Sequence, residues 1–438
     1  MSRDPRLEAV NRILERLFPI TRSLTGEGNR ETLRTLQEIA PIEIKEYASG
    51  EQVYDWVIPD EWSIRDAWIK DGDGRKVVDF RVCNVHVMGY STPVHETAMT
   101  FEALSPHLHH LASQPEAIPY RTSYYKRDWG FCISHRQYLE MKAHGGPYEV
   151  MIDSTLQPGS MTVGEVLIPG RSSKEILIST YFCHPSLAND NLSGTVTTAY
   201  LAAELAKGSW AHSYRMVFIP ETIGAIAYLA HNEAAMKAIE RGFVVTCTAG
   251  PGPLYMKQSL DPSDPINRVC HNVLKARDGE FKTYPFDIHG SDERQYSSQG
   301  FRINVATIGR DKYYEYPQYH THLDHLGFIS AASLLDSLGA YMEAIGQLDC
   351  DILFRNTQPH GEVMLSRHDM YPATGGAQLH GADKETMSDL DRILWLLFHC
   401  DGEVGLWDVA QRLETDVRDL YATALRLEEK GLLERVHP

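Results

Sequence analysis

The sequence lacks the signals of several common functional classes. It has no stretch approaching 18 consecutive apolar residues, so hydropathy predicts no transmembrane helix. Its seven cysteines include no CxxC pair, and neither GxSxG, nor a P-loop, nor a GxGxxG after a predicted strand occurs. Thiolate zinc sites, disulfide frameworks, serine hydrolases and nucleotide-binding folds therefore lack their usual signals.

Positive charge is also scarce. The chain has 42 Lys and Arg against 59 Asp and Glu, a net charge of −17. Phosphate backbones and anionic membranes repel such a surface, so we expect neither nucleic acid nor membrane as a partner. The charged first residues carry no apolar run of a signal peptide, which predicts a cytoplasmic protein. Histidine, in contrast, is abundant at 20 residues, and it is the commonest neutral metal ligand.

The 438 residues predict several domains. Residues 1–42 and 169–355 alternate strands with helices, which predicts an α/β domain with a mostly parallel sheet and flanking helices. Short β-rich runs broken by turns predict an inserted β-rich domain over 43–168. An irregular linker is expected over 352–385. The order helix, helix, helix, strand over 386–438 predicts a winged helix-turn-helix domain.

The most distinctive motif is CHPSLANDNLSG at Cys183–Gly194, between a predicted strand and a predicted helix. In α/β folds the ends of such strands carry the ligand sites. His184 and Asp190 are both suitable zinc ligands. The alternative is that Asp190 caps the helix while His184 bonds to backbone.

Two further motifs follow predicted strands or loops. Glu221, directly after a strand, is a candidate general base beside an activated water, or else a carboxylate favoured by a helix N-terminus. The segment YHTHLDH holds His320, His322 and Asp324, which share one side if the chain is extended. One or two of them are candidate ligands, with Asp324 orienting a ligand; the alternative is a polar surface loop.

The segment GSDERQ at Gly290–Gln295 carries a carboxylate and a guanidinium next to each other. Glu293 is a candidate base or ligand, and Arg294 is suited to hold a substrate carboxylate. The alternative interpretation is a solvated charged loop.

Together these motifs resemble those of the zinc aminopeptidases with a two-metal site, the superfamily that includes the glutaminyl cyclases. They are more similar still to bacterial aminopeptidase-like domain proteins that accompany surface-polysaccharide biosynthesis genes. That similarity rests on TSYYKRDWGFC at 122–132, HPSLANDNLSG at 184–194 and DERQ at 292–295. The resemblance implies metal ligands at His184, Asp190 and His320. It also implies a general base at Glu221 and a lid role for the inserted β-rich domain over 43–168. On the same hypothesis of function, Glu293 is the reserve base, and Arg294, Tyr319 and Asp324 are candidate substrate contacts.

The chain departs from the aminopeptidase pattern at two ligand positions. Thr222 stands where a second Glu is expected, and VTCT at 245–248 stands where an Asp is expected. One zinc is therefore the simpler expectation, with two as the alternative. The function implied is zinc-dependent hydrolysis of an amide bond in a small peptide. The alternatives are an amidohydrolase acting on an N-acyl or aminoacyl sugar, and an inactive binding protein on a peptidase fold.

The predicted winged helix suggests a transcription regulator as a further alternative. Residues 386–438, however, carry six Arg and Lys against eleven Asp and Glu. An acidic recognition helix is a poor partner for phosphate. We therefore expect this domain to contact a protein partner or a second copy of the chain.

Overall fold

The computed structural model describes residues 4–278, 281–371 and 387–436. The chain divides into two compact units. The first comprises 1–169, 174–209 and 213–341, and the second comprises 170–173, 210–212 and 342–438. None of the helices in the described ranges is long and apolar enough to cross a membrane.

A mixed sheet with eight strands forms the centre of the described part of the first unit. In order across the sheet these strands are Glu43–Ala48, Ser160–Ile168, Ser213–Ile219, Glu175–Tyr181, Arg241–Val244, Asn304–Arg310, Leu254–Lys257 and Lys282–Tyr284. The four central strands run parallel to one another. Their side chains are almost all buried, as expected for parallel strands covered on both faces. The predicted α/β fold with flanking helices is confirmed.

Helices connect the strands of this sheet, because parallel neighbours require crossover connections. The first helix shows the pattern well: Asp4 caps it, and it buries Val10, Ile13, Leu14 and Leu17 along one face. The helices before residue 350 are Pro5–Leu17, Glu27–Leu36, Phe101–Leu104, His135–His144, Gly194–Leu205, Ile223–His231, Glu233–Lys237, Pro265–Asp278, Glu293–Tyr296 and Ala331–Asp349.

A second, antiparallel sheet lies within the predicted insertion. Its strands, in spatial order, are Lys76–Asp79, Glu61–Lys70, Tyr148–Gln157 and Val94–Met99. Short pairs at Gln52–Val53 with Trp56–Val57 and at Leu108–His109 with Phe131–Cys132 accompany it. The inserted domain is shorter than expected, and its limits lie inside 43 and 168. The strands next to those limits, Glu43–Ala48 and Ser160–Ile168, pair with each other inside the large sheet.

The second unit contains the winged helix, with helices Asp389–His399, Leu406–Arg412 and Val417–Glu429. Its sheet has Leu353–Asn356 in the middle, flanked by Asp401–Gly405 and Leu433–Arg435. The domain therefore begins near 352 rather than at 386, because a strand in the expected linker completes its sheet. The rest of that linker includes 372–386, which lie outside the described residues.

A buried ion cluster joins neighbouring strands of the large sheet. Arg215 places Nη1 2.9 Å from Glu165 Oε1 and Nε 2.5 Å from Glu175 Oε2. Lys45 and the Tyr228 hydroxyl also bond to Glu165. The side chains of Glu165 and Arg215 are only 2% and 8% exposed. Removal of one partner from such a pair leaves a desolvated charge in the sheet.

We predict that Arg215→Met lowers the free energy of unfolding by about 3 kcal/mol. The matched control is Arg65→Met, which breaks an exposed pair with Asp153 and should cost less than about 1 kcal/mol. Urea denaturation followed by circular dichroism measures both. Equal losses in the two variants would contradict the prediction.

Candidate metal centre

The candidate site lies at the carboxyl end of the strand Glu175–Tyr181. The next strand along the chain pairs on one side of it and the following strand pairs on the other. Strand order therefore reverses at this point, and in α/β sheets such a reversal opens a ligand-binding crevice. The turn that leaves this strand carries His184 and Asp190, which are 5% and 0% exposed.

The residues around Asp190 hold this turn in place. Asn191 donates from Nδ2 to the Tyr181 carbonyl at 2.9 Å and accepts the Cys247 N–H at 3.1 Å. The peptide bond between Asp190 and Asn191 is cis. Gly194 packs so closely that a Cβ would stand 2.3 Å from Asn191 Oδ1. The motif thus provides both ligand atoms and the scaffold that positions them.

Three ligand atoms converge here, from His184, Asp190 and His320, and all lie within 4.8 Å of one another. Asp190 Oδ2 is 3.0 Å from His320 Nε2 and 3.6 Å from His184 Nδ1. All three atoms are buried, and apart from this contact between Asp190 and His320 they have no hydrogen-bond partner in the described part of the chain. Buried polar atoms are almost always satisfied, so this donor set fits a divalent cation such as zinc.

The protonation of His184 suits a ligand. Burial lowers the pKa of His184 to about 4, although the Asp190 carboxylate acts in the opposite direction. The imidazole is therefore neutral near pH 7, and only a neutral ring nitrogen offers a lone pair to a metal.

The segment around His320 is not extended, which corrects the expectation that alternate residues share one side. The chain turns at His320, where φ is 52°. His320 faces Asp190, whereas His322 Nδ1 accepts the Ile118 N–H at 3.0 Å. A backbone bridge between Pro119 and Thr321 holds this segment. Pairing with a segment 200 residues away decides the direction of each histidine.

Asp324 is completely buried and does not face a substrate. Its oxygens accept the N–H groups of Asn189 and Asp190 at 2.7 and 2.9 Å, and the Tyr316 hydroxyl at 3.1 Å. Burial raises the pKa of Asp324 to about 7, against the effect of these N–H groups. Asp324 was expected either to contact substrate or to orient a metal ligand. Its hydrogen bonds fit the second role, because they hold the turn that carries Asp190.

Glu221 follows the strand Ser213–Ile219 and reaches the same crevice. Its Oε2 lies 3.6 Å from His184 Nε2. Burial, and next the nearby Asp190 carboxylate, raise the pKa of Glu221 to about 7. The Glu221 N–H donates to Cys183 Sγ at 3.2 Å, which ties the two strand ends together. A carboxyl group with such a pKa both accepts and releases a proton near neutral pH.

Asp292 is a residue of this site that the sequence reasoning missed. It is fully buried, and its Oδ1 accepts the Thr222 N–H at 2.7 Å. Thr222 has a φ of 65°, so this bond holds the strained residue that follows Glu221. Burial and the charge of Glu221 raise the pKa of Asp292 well above its usual value. The only sequence signal for Asp292 was its place in the DERQ segment at 292–295.

Glu293 occupies a different environment from the one expected of a reserve base. Lys257 Nζ lies 2.5 Å from Glu293 Oε1, and the Tyr313 hydroxyl donates to the same oxygen at 2.9 Å. Lys257 itself is almost fully buried. Because Lys257 and Tyr313 both engage Oε1, the Glu293 carboxylate already has protein partners, so the structure favours Glu221 for the role of base.

The other two residues expected to contact substrate, Arg294 and Tyr319, lie in different environments. Arg294 is exposed, and its charge acts on Glu221, lowering the pKa of that carboxyl. Tyr319 stacks on the His320 ring, with centroids 4.0 Å apart and planes 13° from parallel. Arg294 is thus free to meet a ligand, whereas Tyr319 orients a metal-ligand candidate.

The fold and this site define an aminopeptidase-like α/β protein with a C-terminal winged helix. A family model described as a domain of unknown function, DUF4910, matches residues 11–351, and a winged helix-turn-helix model matches 352–435. The chain belongs to the DUF4910 family.

Similar proteins agree with this assignment. The chain is 38% identical over 427 residues to a Clostridium acetobutylicum protein named "Putative polysaccharide biosynthesis protein with aminopeptidase-like domain", covering 98% of this chain and 96% of the relative. The crystal structure of a "putative peptidase" from that organism matches with a TM-score of 0.85 and 37% identity, covering 98% and 97% of the two chains. The expected resemblance to aminopeptidase-like proteins is confirmed.

A more distant structure shares the fold of the first unit. The zinc aminopeptidase BSAP from Bacillus subtilis matches with a TM-score of 0.57, covering 78% of this chain and 94% of its own. Its identity to this chain is 13%. A likeness at that level concerns the fold alone.

We predict that zinc added to the metal-free protein raises its Tm by about 3–5 °C at a hundredfold excess over Kd, since a ligand of the folded state stabilises it. His320→Ala should abolish this rise, because it removes one of the three ligand atoms. His325→Ala, an exposed histidine five residues along, should retain it. Differential scanning fluorimetry after dialysis against EDTA measures the shift. An undiminished rise in His320→Ala would refute the assignment.

Proposed function

We propose that this protein is a zinc-dependent hydrolase that cleaves an amide bond. The observation that carries the proposal is the meeting of three buried, unbonded ligand atoms with a carboxylate of raised pKa at one crevice. His184, Asp190 and His320 would hold the zinc. The aminopeptidase-like relative and fold neighbours support the same class of chemistry.

When bound, zinc supplies a Lewis acid that polarises the amide carbonyl and makes water more acidic. Glu221 takes a proton from the attacking water at Oε2 as the oxygen bonds to the carbonyl carbon. The carbon–nitrogen bond then breaks, and Glu221 returns the proton to the leaving nitrogen. A pKa near 7 in the metal-free site suits both transfers.

The arrangement of Asp190 favours one metal over two. Its Oδ1 accepts the Tyr181 hydroxyl at 2.6 Å, so only Oδ2 is open toward the histidines. Tyr181 in turn contacts Thr246 at 2.7 Å, next to the position where an acidic ligand was expected. Because the Tyr181 hydroxyl bonds to Oδ1, Asp190 would hold a metal through Oδ2, which supports a single metal.

Metal stoichiometry tests this part of the proposal directly. We expect about one zinc per chain, since three protein ligands converge among the described residues, as in catalytic zinc sites. Plasma mass spectrometry of the protein, loaded with excess zinc and then desalted, gives the ratio. A ratio of two would show that Tyr181 does not limit the site, and a ratio of zero would refute the metal centre.

The substrate is proposed to be a small peptide or an amide-bearing sugar. A second candidate function is a binding protein that has lost catalysis, and one observation favours it. Thr222 and Cys247 stand where acidic ligands were expected, and both are held by protein hydrogen bonds.

The winged helix is assigned a protein partner or a second copy of the chain. In its third helix, Arg418 pairs with Asp416 at 2.5 Å and Arg426 pairs with Asp389 at 2.9 Å. Cations engaged with carboxylates are poorly placed to neutralise phosphates. A protein interface accordingly fits this unit better than a nucleic-acid interface.

We predict that Glu221→Gln lowers the hydrolysis rate at least about 100-fold while the zinc content is unchanged, because the amide cannot accept the proton. The matched control is Glu204→Gln, which changes a carboxylate paired with Lys207 outside the site. Release of amine from aminoacyl anilides and N-acyl amino sugars measures the rate. Turnover that survives in Glu221→Gln would refute the assigned base. A zinc-loaded wild type without turnover on either class would favour the binding protein.

A further inference from the structure

Four aromatic side chains form an exposed surface in the first unit, which we call the aromatic patch: Tyr54, Trp56, Tyr124 and Tyr125. Their exposed fractions lie between 37% and 47%. The Trp56 and Tyr125 rings lie edge to face with centroids 5.8 Å apart. Contiguous exposed rings of this kind mark a binding surface in a folded protein.

The patch is continuous with the candidate metal centre through one short segment. The Tyr120 ring lies 5.0 Å from the His184 ring and 5.3 Å from the His320 ring. Tyr124 and Tyr125 follow only four and five residues later, so the Cα atoms of Tyr120 and Tyr125 are at most about 17 Å apart.

Tyr124 also borders the catalytic carboxylates from the side of the patch. Its hydroxyl pKa is raised by burial and, next, by the charge of Glu221, with a smaller effect from Asp292. The charge of Glu221 therefore reaches the patch at Tyr124.

The rings are fixed before any ligand arrives. The Tyr125 hydroxyl donates to the Val57 carbonyl at 2.7 Å, and the Tyr54 hydroxyl donates to Glu233 Oε2 at 3.1 Å. Both tyrosines thus direct their polar ends to the protein. Rigid rings lose little conformational entropy when a ligand stacks on them.

Charged groups lie beside these rings. The residues that follow Tyr125 are Lys126, which pairs with Asp128 at 2.8 Å, and Arg127, which pairs with Asp60 at 2.7 Å. A sugar ring has an apolar C–H face that packs on an aromatic ring and a rim of hydroxyl groups that needs polar partners. This surface offers both features side by side.

We propose that the aromatic patch binds a sugar ring of the substrate, so that the amide bond presented to Glu221 is carried by a glycan. This inference rests on the proposed function and names its substrate class. A protein partner is the competing occupant, since tyrosine and tryptophan are also enriched in protein interfaces.

The test uses the zinc-loaded full chain on an array of N-acetylated and aminoacylated oligosaccharides. Wild type should bind a subset of them, and Trp56→Ala and Tyr125→Ala should weaken that binding about tenfold. Tyr125→Phe should retain it, because the ring remains. The matched control Trp395→Ala removes a similarly exposed tryptophan, 42% exposed, from the winged helix and should bind like wild type.

The outcomes separate this inference from the proposed function. Glycan binding that requires Trp56, with or without hydrolysis of the bound glycan, supports the patch. Absence of hydrolysis in that case counts against the proposed function alone. Hydrolysis of peptide anilides that is unchanged in Trp56→Ala, together with no glycan binding, overturns the patch and leaves the hydrolase in place. Glycan binding of equal strength in Trp56→Ala and wild type also overturns it.

Discussion

The site depends on the burial of one carboxylate. Asp190 is fully removed from water, and its Oδ2 faces the ring nitrogens of His184 and His320 at 3.6 and 3.0 Å. An isolated buried charge is costly, so its surroundings must stabilise it. The Tyr181 hydroxyl does so at one oxygen, and two histidines face the other. The site is thus electrostatically incomplete in a way that a cation completes.

The sheet topology explains why these groups meet. His184 and Asp190 leave one parallel strand, and Glu221 leaves its neighbour, so their side chains meet at one edge. The Asp324 carboxylate binds the N–H groups of the ligand-bearing turn, and Asp292 binds the N–H after Glu221. Two buried acids therefore act on backbone, each fixing one side of the crevice.

The two units carry different surfaces. In the first, the exposed rings of Tyr124 and Tyr125 follow Tyr120, whose ring lies beside His184 and His320. In the second, Arg418 and Arg426 of the third helix pair with carboxylates, so these two charges are engaged within the protein. The fold alone therefore does not determine what each surface binds. The local side chains determine it.

Much of the architecture followed from the sequence. Apolar periodicity placed the helices and the central strands. The order of strand, loop and helix placed His184, Asp190 and Glu221 just after the carboxyl ends of predicted strands. These features are local, since turn chemistry and side-chain period act over a few residues. The motif resemblance added His320, which local context alone left undecided between ligand and surface loop.

Only the tertiary structure decided the features that depend on distant contacts. The pairing of residue 118 with residue 322 sets where His320 points, and Lys257 removes Glu293 from the role of base. The Tyr181 hydroxyl closes one side of Asp190. Strands 43–48, 160–168 and 353–356 change the domain limits, because edge and partner strands are defined by their neighbours. Sequence patterns record which residues form an element, whereas packing decides which distant groups that element meets.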